Sequence, residues 1–440
     1  MQRAGDQRLQ SFIHETRLAE LPSRVRHRLG LHVADLAVVC IAGRATPTAR
    51  IGLDHAHAVY GGSDATSLLD SSRVGTVGAA FANGVLANAL DFDDGHRLTK
   101  GHPGAVVIPA VLALAQQLDA PYEEFLAAVL VGYEIAIRAG IELHARDDAY
   151  HASGAWGALG VAGAAARLLG LDGKRTLAAI GLAEYHAPIA RIMRSCADPA
   201  MTKDACAWGA ALGIESALLS LRGFTSTRAE FLDSPLEDLG ERFRIEELYI
   251  KAYPCCRWSQ GAIAAALEAA RAAGGVDPAR VREIRVRTFG AADGLSAAVP
   301  VSTEEAQYSL TWPVACAVAR GRFTVEDVLG GFDDPVADAL VERVRIEIAP
   351  ELDAEFPARR LTAVEIELRD DTVLRAGPLE APGEPEDPDL AALIARKFRA
   401  HVEPERDLAP IVVPEGGLAA LDTPALLTVM SQAVLAPTVA

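Results

Sequence analysis

The chain has 440 residues, half of them apolar and few of them aromatic, which is enough for a large core and points to two domains. Lys and Arg number 42 against 59 Asp and Glu, a formal net charge of −17 that argues against nucleic-acid or anionic-membrane binding through the overall field while permitting a local cationic pocket. Six cysteines without a C-x-x-C pair are too sparse for a disulfide framework, the polar stretch Met1 to His14 has no apolar core for a signal peptide, and no run reaches about 18 apolar residues. The expectation is a reduced, soluble, cytoplasmic protein with neither a membrane nor a nucleic-acid partner.

The first 265 residues read as consecutive helices. From Ser23 to Gly43, Val25, Leu29, Val33, Leu36 and Cys40 recur every three to four positions. Ala79 to Leu90, Tyr122 to Ile137, Gly154 to Leu169 and Cys206 to Leu221 read the same way. Within one of these, Gly154, Gly157, Gly160 and Gly163 fall three apart; glycine weakens a helix, so a second backbone is expected close against that face. After Gly274-Gly275 the period changes to two. Ile284, Val286 and Thr288 alternate with arginines, Val344, Ile346 and Ile348 alternate with charges, and so do Val364, Ile366 and Leu368 before a turn at Asp370-Asp371 into Val373. Helices are expected between these strands at Pro313 to Ala319, Val325 to Leu329 and Pro335 to Arg343. Ala381 to Pro388, APGEPEDP, reads as a turn-rich linker. Helices resume at Leu390 to His401 and Pro424 to Val434. The predicted fold is mainly α: a large helical domain over 1–265 to which 390–440 returns, and a smaller α+β lid over 266–389.

Four segments carry reactive residues. Asp91 to Gly104 (DFDDGHRLTKGHPG) packs three carboxylates, two histidines and a lysine behind an apolar helix. It reads as an acid–base site, a metal site or a charged helix cap. His151 precedes the glycine-spaced helix, where the dipole favours neutral imidazole. Lys203, in DPAMTKDAC, and Lys251, in KAYPCCRWSQ, stand beside apolar residues. Only five lysines occur against 37 arginines, and three of them, Lys100, Lys203 and Lys251, fall in these segments. Lysine, unlike arginine, can lose its proton when buried. Cys255-Cys256 cannot supply three thiolates to an iron–sulfur cluster. No phosphate-cradling loop or G-x-S-x-G elbow is found.

Taken together, in order and spacing, these segments resemble the MmgE/PrpD family. The likeness rests on DFDDGH…HPG, GYEIAIRAG at Gly132 to Gly140, HASGAWGALGVAGAAARLLGL at His151 to Leu171, MTK at Met201 to Lys203, KAYPCCRW at Lys251 to Trp258, and AQYSLTWPVACA at Ala306 to Ala317. The resemblance implies the two-domain architecture above, a homodimer, and catalysis with no metal and no organic cofactor. Its site, carried to matching positions, comprises Asp91, His102, His151, Lys203 and Lys251. His102 and His151 are then acid–base candidates and Asp91 their orienting charge. Lys203 and Lys251 would bind substrate carboxylates, with Arg257, His96 and Trp312 as further binding residues and Lys251 as a second proton carrier. The family often has threonine at Gly95, serine at Gly104 and histidine at Gln260, and a common lid tyrosine corresponds to Trp312. The expected activity is a cofactor-independent lyase that removes a proton next to a carboxylate of a small polycarboxylate. A 2-methylcitrate-dehydratase-like hydro-lyase comes first. An epimerase of the iminodisuccinate kind or a cis-aconitate-type decarboxylase are alternatives, and a non-catalytic carboxylate-binding homologue is a further one.

Overall fold

The computed structural model describes residues 3–401, Leu418 and residues 421–431. The stripe Val25, Leu29, Val33, Leu36 and Cys40 lies on a helix over Ser23–Gly43 and is buried throughout, as a core-facing amphipathic surface must be. The expected helices form at Thr76–Asn88, Ser153–Leu168 and Cys206–Leu221, and the one begun at Tyr122 runs on to Arg146. Among the described residues no single helix is long and apolar enough to cross a membrane.

Ser153–Leu168 packs on Tyr122–Arg146, Cys206–Leu221, Gly173–His186 and Pro103–Gln117. Its glycines serve several neighbours rather than the single backbone their spacing suggested. A Cβ on Gly209 would fall 2.6 Å from Gly154 Cα, and one on Gly160 would fall 2.7 Å from Ala136 Cβ in Tyr122–Arg146. Three residues advance a helix by about 300°, so a three-residue spacing walks round the cylinder.

The period-two segments form one four-stranded sheet in the order Val344–Ile348, Val281–Thr288, Thr362–Leu368, Val373–Leu379. The first pair is parallel and the others antiparallel. Register places Ile284 between Val344 and Ile366, and Val286 between Ile346 and Val364. The central side chains among these are buried, while Arg285 and Glu365 pair at 3.0 Å on the opposite face. The expected division at residues 265 and 266 falls inside the helix Arg257–Ala272, which covers Thr362–Leu368 and Val373–Leu379. A change of period marks where strands begin, not the helix that covers them.

Two late segments tie the sheet side to the helices. Leu390–His401 packs Leu393, Ile394 and Phe398 against Leu31, Ala34 and Val38 of Ser23–Gly43, and Thr423–Met430 packs on the same helix; the expected helix end at Val434 lies outside the described residues. The stretch 381–388 turns, as expected, but it is anchored: the Gly383 carbonyl accepts from the Ile250 N–H at 2.8 Å, and Glu384 is buried.

On the returning helix, Lys397 Nζ donates to Asp35 Oδ1 at 2.6 Å and to the Phe92 carbonyl at 3.1 Å, with all partners buried. Burial pushes the Asp35 carboxyl up to about 6 although Lys397 opposes the shift, and burial also lowers Lys397. Desolvation therefore outweighs the attraction, and the pair matters mainly because neither charge is tolerable alone. Lys397→Met is expected to destabilise by about 3–5 kcal/mol in urea unfolding, and adding Asp35→Asn to recover part of that loss. An additive double mutant would contradict this coupling.

Candidate active site

The helix Thr76–Asn88 ends on Lys203. Its Nζ donates to the carbonyls of Asn88 (2.9 Å) and Ala89 and to Gln307 Oε1 (2.6 Å). A cation on the last carbonyls of a helix is favoured by its dipole. All three ammonium protons are thereby engaged. Burial pushes Lys203 down to about 8. Its stem lines a separate cavity with Thr48, Phe81 and Trp208. Lys203 thus clamps the turn that follows, and it does not line the cavity shared by Asp91, His102 and Lys251.

In that turn Asp91 takes a left-handed conformation, φ 49°. The chain then forms a two-residue strand, Gly95–His96, antiparallel to Leu248–Tyr249, with Gly95 opposite Tyr249. Such a strand is too short to show a period. Its register brings Lys251 to Asp91: Nζ donates to Asp91 Oδ1 at 2.6 Å and to the Asp91 carbonyl at 2.7 Å. Lys251 is 1 % exposed. Burial acts to lower its pKa, but Asp91 and Asp93 outweigh burial and raise it. Two acceptors thus engage the Lys251 amine and the neighbouring carboxylates favour its charged form, with one N–H left to spare.

His102 caps the helix Pro103–Gln117. Its backbone N–H donates to Ser153 Oγ at 2.8 Å, and that hydroxyl donates to Asp204 Oδ1 at 2.7 Å. Its ring meets only acceptors. Nδ1 is 2.9 Å from the Asp94 carbonyl and 3.2 Å from Asp93 Oδ2; Nε2 is 3.2 Å from Asp91 Oδ1 and 3.8 Å from Asp204 Oδ2. Burial and Lys251 disfavour a charged ring, as does the helix N-terminus, but Asp93, Asp204 and Asp91 prevail and push it up to about 10. With acceptors at both ring nitrogens, these surroundings favour the imidazolium, and so an acid over a base. Burial raises Asp204, whereas His102 and Lys251 hold Asp93 low against the opposing effect of burial.

Asp91, His102, Asp204 and Lys251 line one small cavity, about 50 Å³ inside and open to solvent. Arg257 also lines it, with its guanidinium 2.8 Å from Glu384 Oε1 and 4.5 Å over the Tyr249 ring. The remaining expected residues stand elsewhere. His151 is buried one residue from the lining Tyr150, its Nε2 is 3.1 Å from Asp147, and burial lowers its pKa. His96 is buried against Glu247 at 3.2 Å and holds the loop through its hydrogen bonds to Lys100 N and Gly101 O. Trp312 is fully buried in the α+β core, where its indole N–H donates to the Asp327 carbonyl at 2.9 Å. Sequence reasoning missed Asp204, Tyr249, Tyr308 and Arg360, which line the cavity, and left out Lys100, which also does. Lys100 had a signal in the scarcity of lysine; Arg360 had none.

Two departures from the family pattern have a steric reason. A Cβ at Gly104 would lie 2.5 Å from the Tyr133 hydroxyl and 2.7 Å from Asp94 Oδ1, and a Cβ at Gly95 would overlap the Tyr249 phenol. At both positions a hydroxyl-bearing side chain would thus collide with a tyrosine hydroxyl, and Tyr249 lines the cavity.

Asp91, Asp93 and His102 bring ligand atoms within 4.8 Å of one another. By distance alone they suit a divalent ion. Charge argues otherwise: Asp91 already holds the Lys251 ammonium, and His102 would have to shed a strongly held proton.

Two outcomes follow. ¹⁵N-histidine NMR at pH 8 is expected to show both His102 ring nitrogens protonated. Because its folded pKa is raised from 6.5 to about 10, its stabilisation is fully present below 6.5 and fades as pH rises through 10; a neutral ring at pH 8 contradicts the acid assignment. Gly95→Thr is expected to destabilise by about 1–3 kcal/mol, with Tyr249→Leu relieving part of it; a silent Gly95→Thr would show that the phenol gives way freely.

The family model described as MmgE/PrpD N-terminal domain matches residues 7–235, and the one described as MmgE/PrpD C-terminal domain matches residues 253–408. Among curated proteins, a cis-aconitate decarboxylase of Homo sapiens is 29 % identical over 232 residues, 49 % of this chain and 46 % of its own length. A cis-aconitate decarboxylase-like protein of Aspergillus oryzae is 28 % identical over 169 residues, 36 % of this chain and 35 % of its own. A cis-aconitate decarboxylase of Mus musculus is 35 % identical over 125 residues, 26 % of this chain and 25 % of its own. The matches thus span less than half the length of these relatives.

Proposed function

We propose that this chain, which belongs to the MmgE/PrpD family, is a lyase that breaks a bond next to a carboxylate of a small polycarboxylate. The observation that carries this reading is His102 with acceptors at both ring nitrogens, an arrangement that favours its protonated form, beside Lys251 at a cavity with further cations. Lys251 offers its spare proton to a substrate carboxylate. Loss of carbon dioxide leaves the electron pair of the broken C–C bond on the carbon framework, where the adjacent carboxylate spreads it. Fixed cations stabilise that charge as it forms. His102 then gives its Nε2 proton to carbon, forming the new C–H bond, and water reprotonates the ring. Asp91 and Asp204 hold His102 in place throughout.

Decarboxylation needs an acid and cations but no base, and His102 and the cations lining the cavity support that reading. The expected hydro-lyase needs both an acid for the departing hydroxide and a base for the C–H. It remains the second reading because Asp204, raised by burial, lines the cavity 3.8 Å from His102 Nε2. An epimerase would use the same pair to take and return one proton.

The test is NMR of cis-aconitate, methylcitrate, citrate and aminopolycarboxylates incubated with the protein in deuterated water. The expected result is carbon dioxide release from cis-aconitate with one deuterium at the new C–H. His102→Asn should slow it by about 10²–10⁴-fold. Unchanged substrates with no C–H exchange across the panel would sink the lyase reading, and ligand-induced melting shifts alone would identify a carboxylate-binding homologue.

A further inference from the structure

Two of the cavity's further cations have no individual role in the chemistry just described. Lys100 reaches it from the loop after His96, in a left-handed conformation with φ 49°, and its ammonium stands 3.4 Å from the centroid of the Tyr150 ring. Arg360 reaches it from the α+β side and is only 4 % exposed. Its Nη2 donates to the Arg97 carbonyl at 3.2 Å, and its guanidinium lies 5.4 Å from the Tyr249 centroid. Its Nε and Nη1 are buried without a hydrogen-bond partner among the described residues. Neither side chain has a carboxylate within ion-pair distance among the described residues, in a protein where most buried cations do. Arg257, by contrast, is bound to Glu384, and Lys251 to Asp91.

A buried guanidinium with two idle donor nitrogens is unfavourable, and a second cation facing the same space makes it more so. The two charges sense each other: burial first, and Arg360 next, push Lys100 down to about 8. An anion between them would satisfy the idle donors and remove the repulsion together. We propose that Lys100 and Arg360 form a subsite for a second carboxylate, one that does not react, and so select substrates with a carboxylate beyond the one held by Lys251. Planar guanidinium suits a carboxylate in two-pronged geometry. That this ligand is a substrate rests on the lyase reading above; the subsite itself rests on the unpaired donors.

The experiment measures binding of propane-1,2,3-tricarboxylate and of propionate to the wild-type protein, Lys100→Gln and Arg360→Lys by calorimetry. Thermal melting verifies that each variant is folded. Arg360→Lys keeps the charge and the stem, so it tests the fork without emptying the site. The tricarboxylate is expected to bind the wild type, and its Kd to rise about tenfold or more in Lys100→Gln and by a smaller factor in Arg360→Lys. Propionate, which fills only one subsite, should be little affected. Wild-type affinity for the tricarboxylate in both folded variants, or no tricarboxylate binding to the wild type, overturns the subsite. Turnover of cis-aconitate together with unchanged variant affinities would remove the subsite and leave the lyase standing. Weakened variant binding with no turnover of any polycarboxylate by the wild type would do the reverse.

Discussion

The contact on which the site depends is the one Asp91 makes with two cations at once. A single carboxylate oxygen accepts from Lys251 at 2.6 Å and stands 3.2 Å from His102. None of these groups would be tolerable alone in so buried a position. Their mutual compensation favours the charged forms of Lys251 and His102. Lys251 is held charged, and His102 is held as an acid well above its ordinary range. Much of the surrounding structure serves to keep this oxygen where it is. Lys203 caps the preceding helix, the left-handed Asp91 turns the chain, and the Gly95–Tyr249 pairing delivers Lys251.

The same logic extends outward. Lys397 on the returning helix donates to the Phe92 carbonyl, next to Asp91, and pairs with Asp35. Arg257 and Arg97 hold Glu384, which pins the 381–384 turn over the helix Arg257–Ala272. The apolar cluster beneath the sheet includes Val39, Leu90 and Phe92 from the helical side. The two halves therefore meet through shared core as well as through charge, and the cavity lies where they meet: Lys100 and His102 come from one side, Arg257 and Arg360 from the other.

The chemistry of the cavity is decided by which groups are left with something to give. Lys203 has no donor left, whereas Lys251 has one and His102 carries a proton held by carboxylates. Replacement of the familiar hydroxyl positions by Gly95 and Gly104 does not empty them, because Tyr249 and Tyr133 bring other hydroxyls to those places.

How much was legible follows from the reach of each signal. Helices of ten or more residues and alternating strands declare themselves by period, since burial of one face must recur along the chain. Ser23–Gly43, Cys206–Leu221 and the strands around Ile284 and Val364 were readable on that ground. Residue type and order marked Asp91, His102 and Lys251, which do meet. Residue type could not separate Lys251 from Lys203, or His102 from His151, because the difference lies in which acceptors the fold turns toward each. Nor could it find Arg360, one arginine among 37, whose position depends on the α+β layer closing over Tyr249. The amino-acid sequence by itself determined the helical body, the alternating sheet and a pool of titratable residues, because those follow from local periodicity and composition. The tertiary structure alone decided which of them carry a proton, which are spent holding the backbone, and which stand unpaired, because electrostatics in a buried site depends on distance in space rather than along the chain.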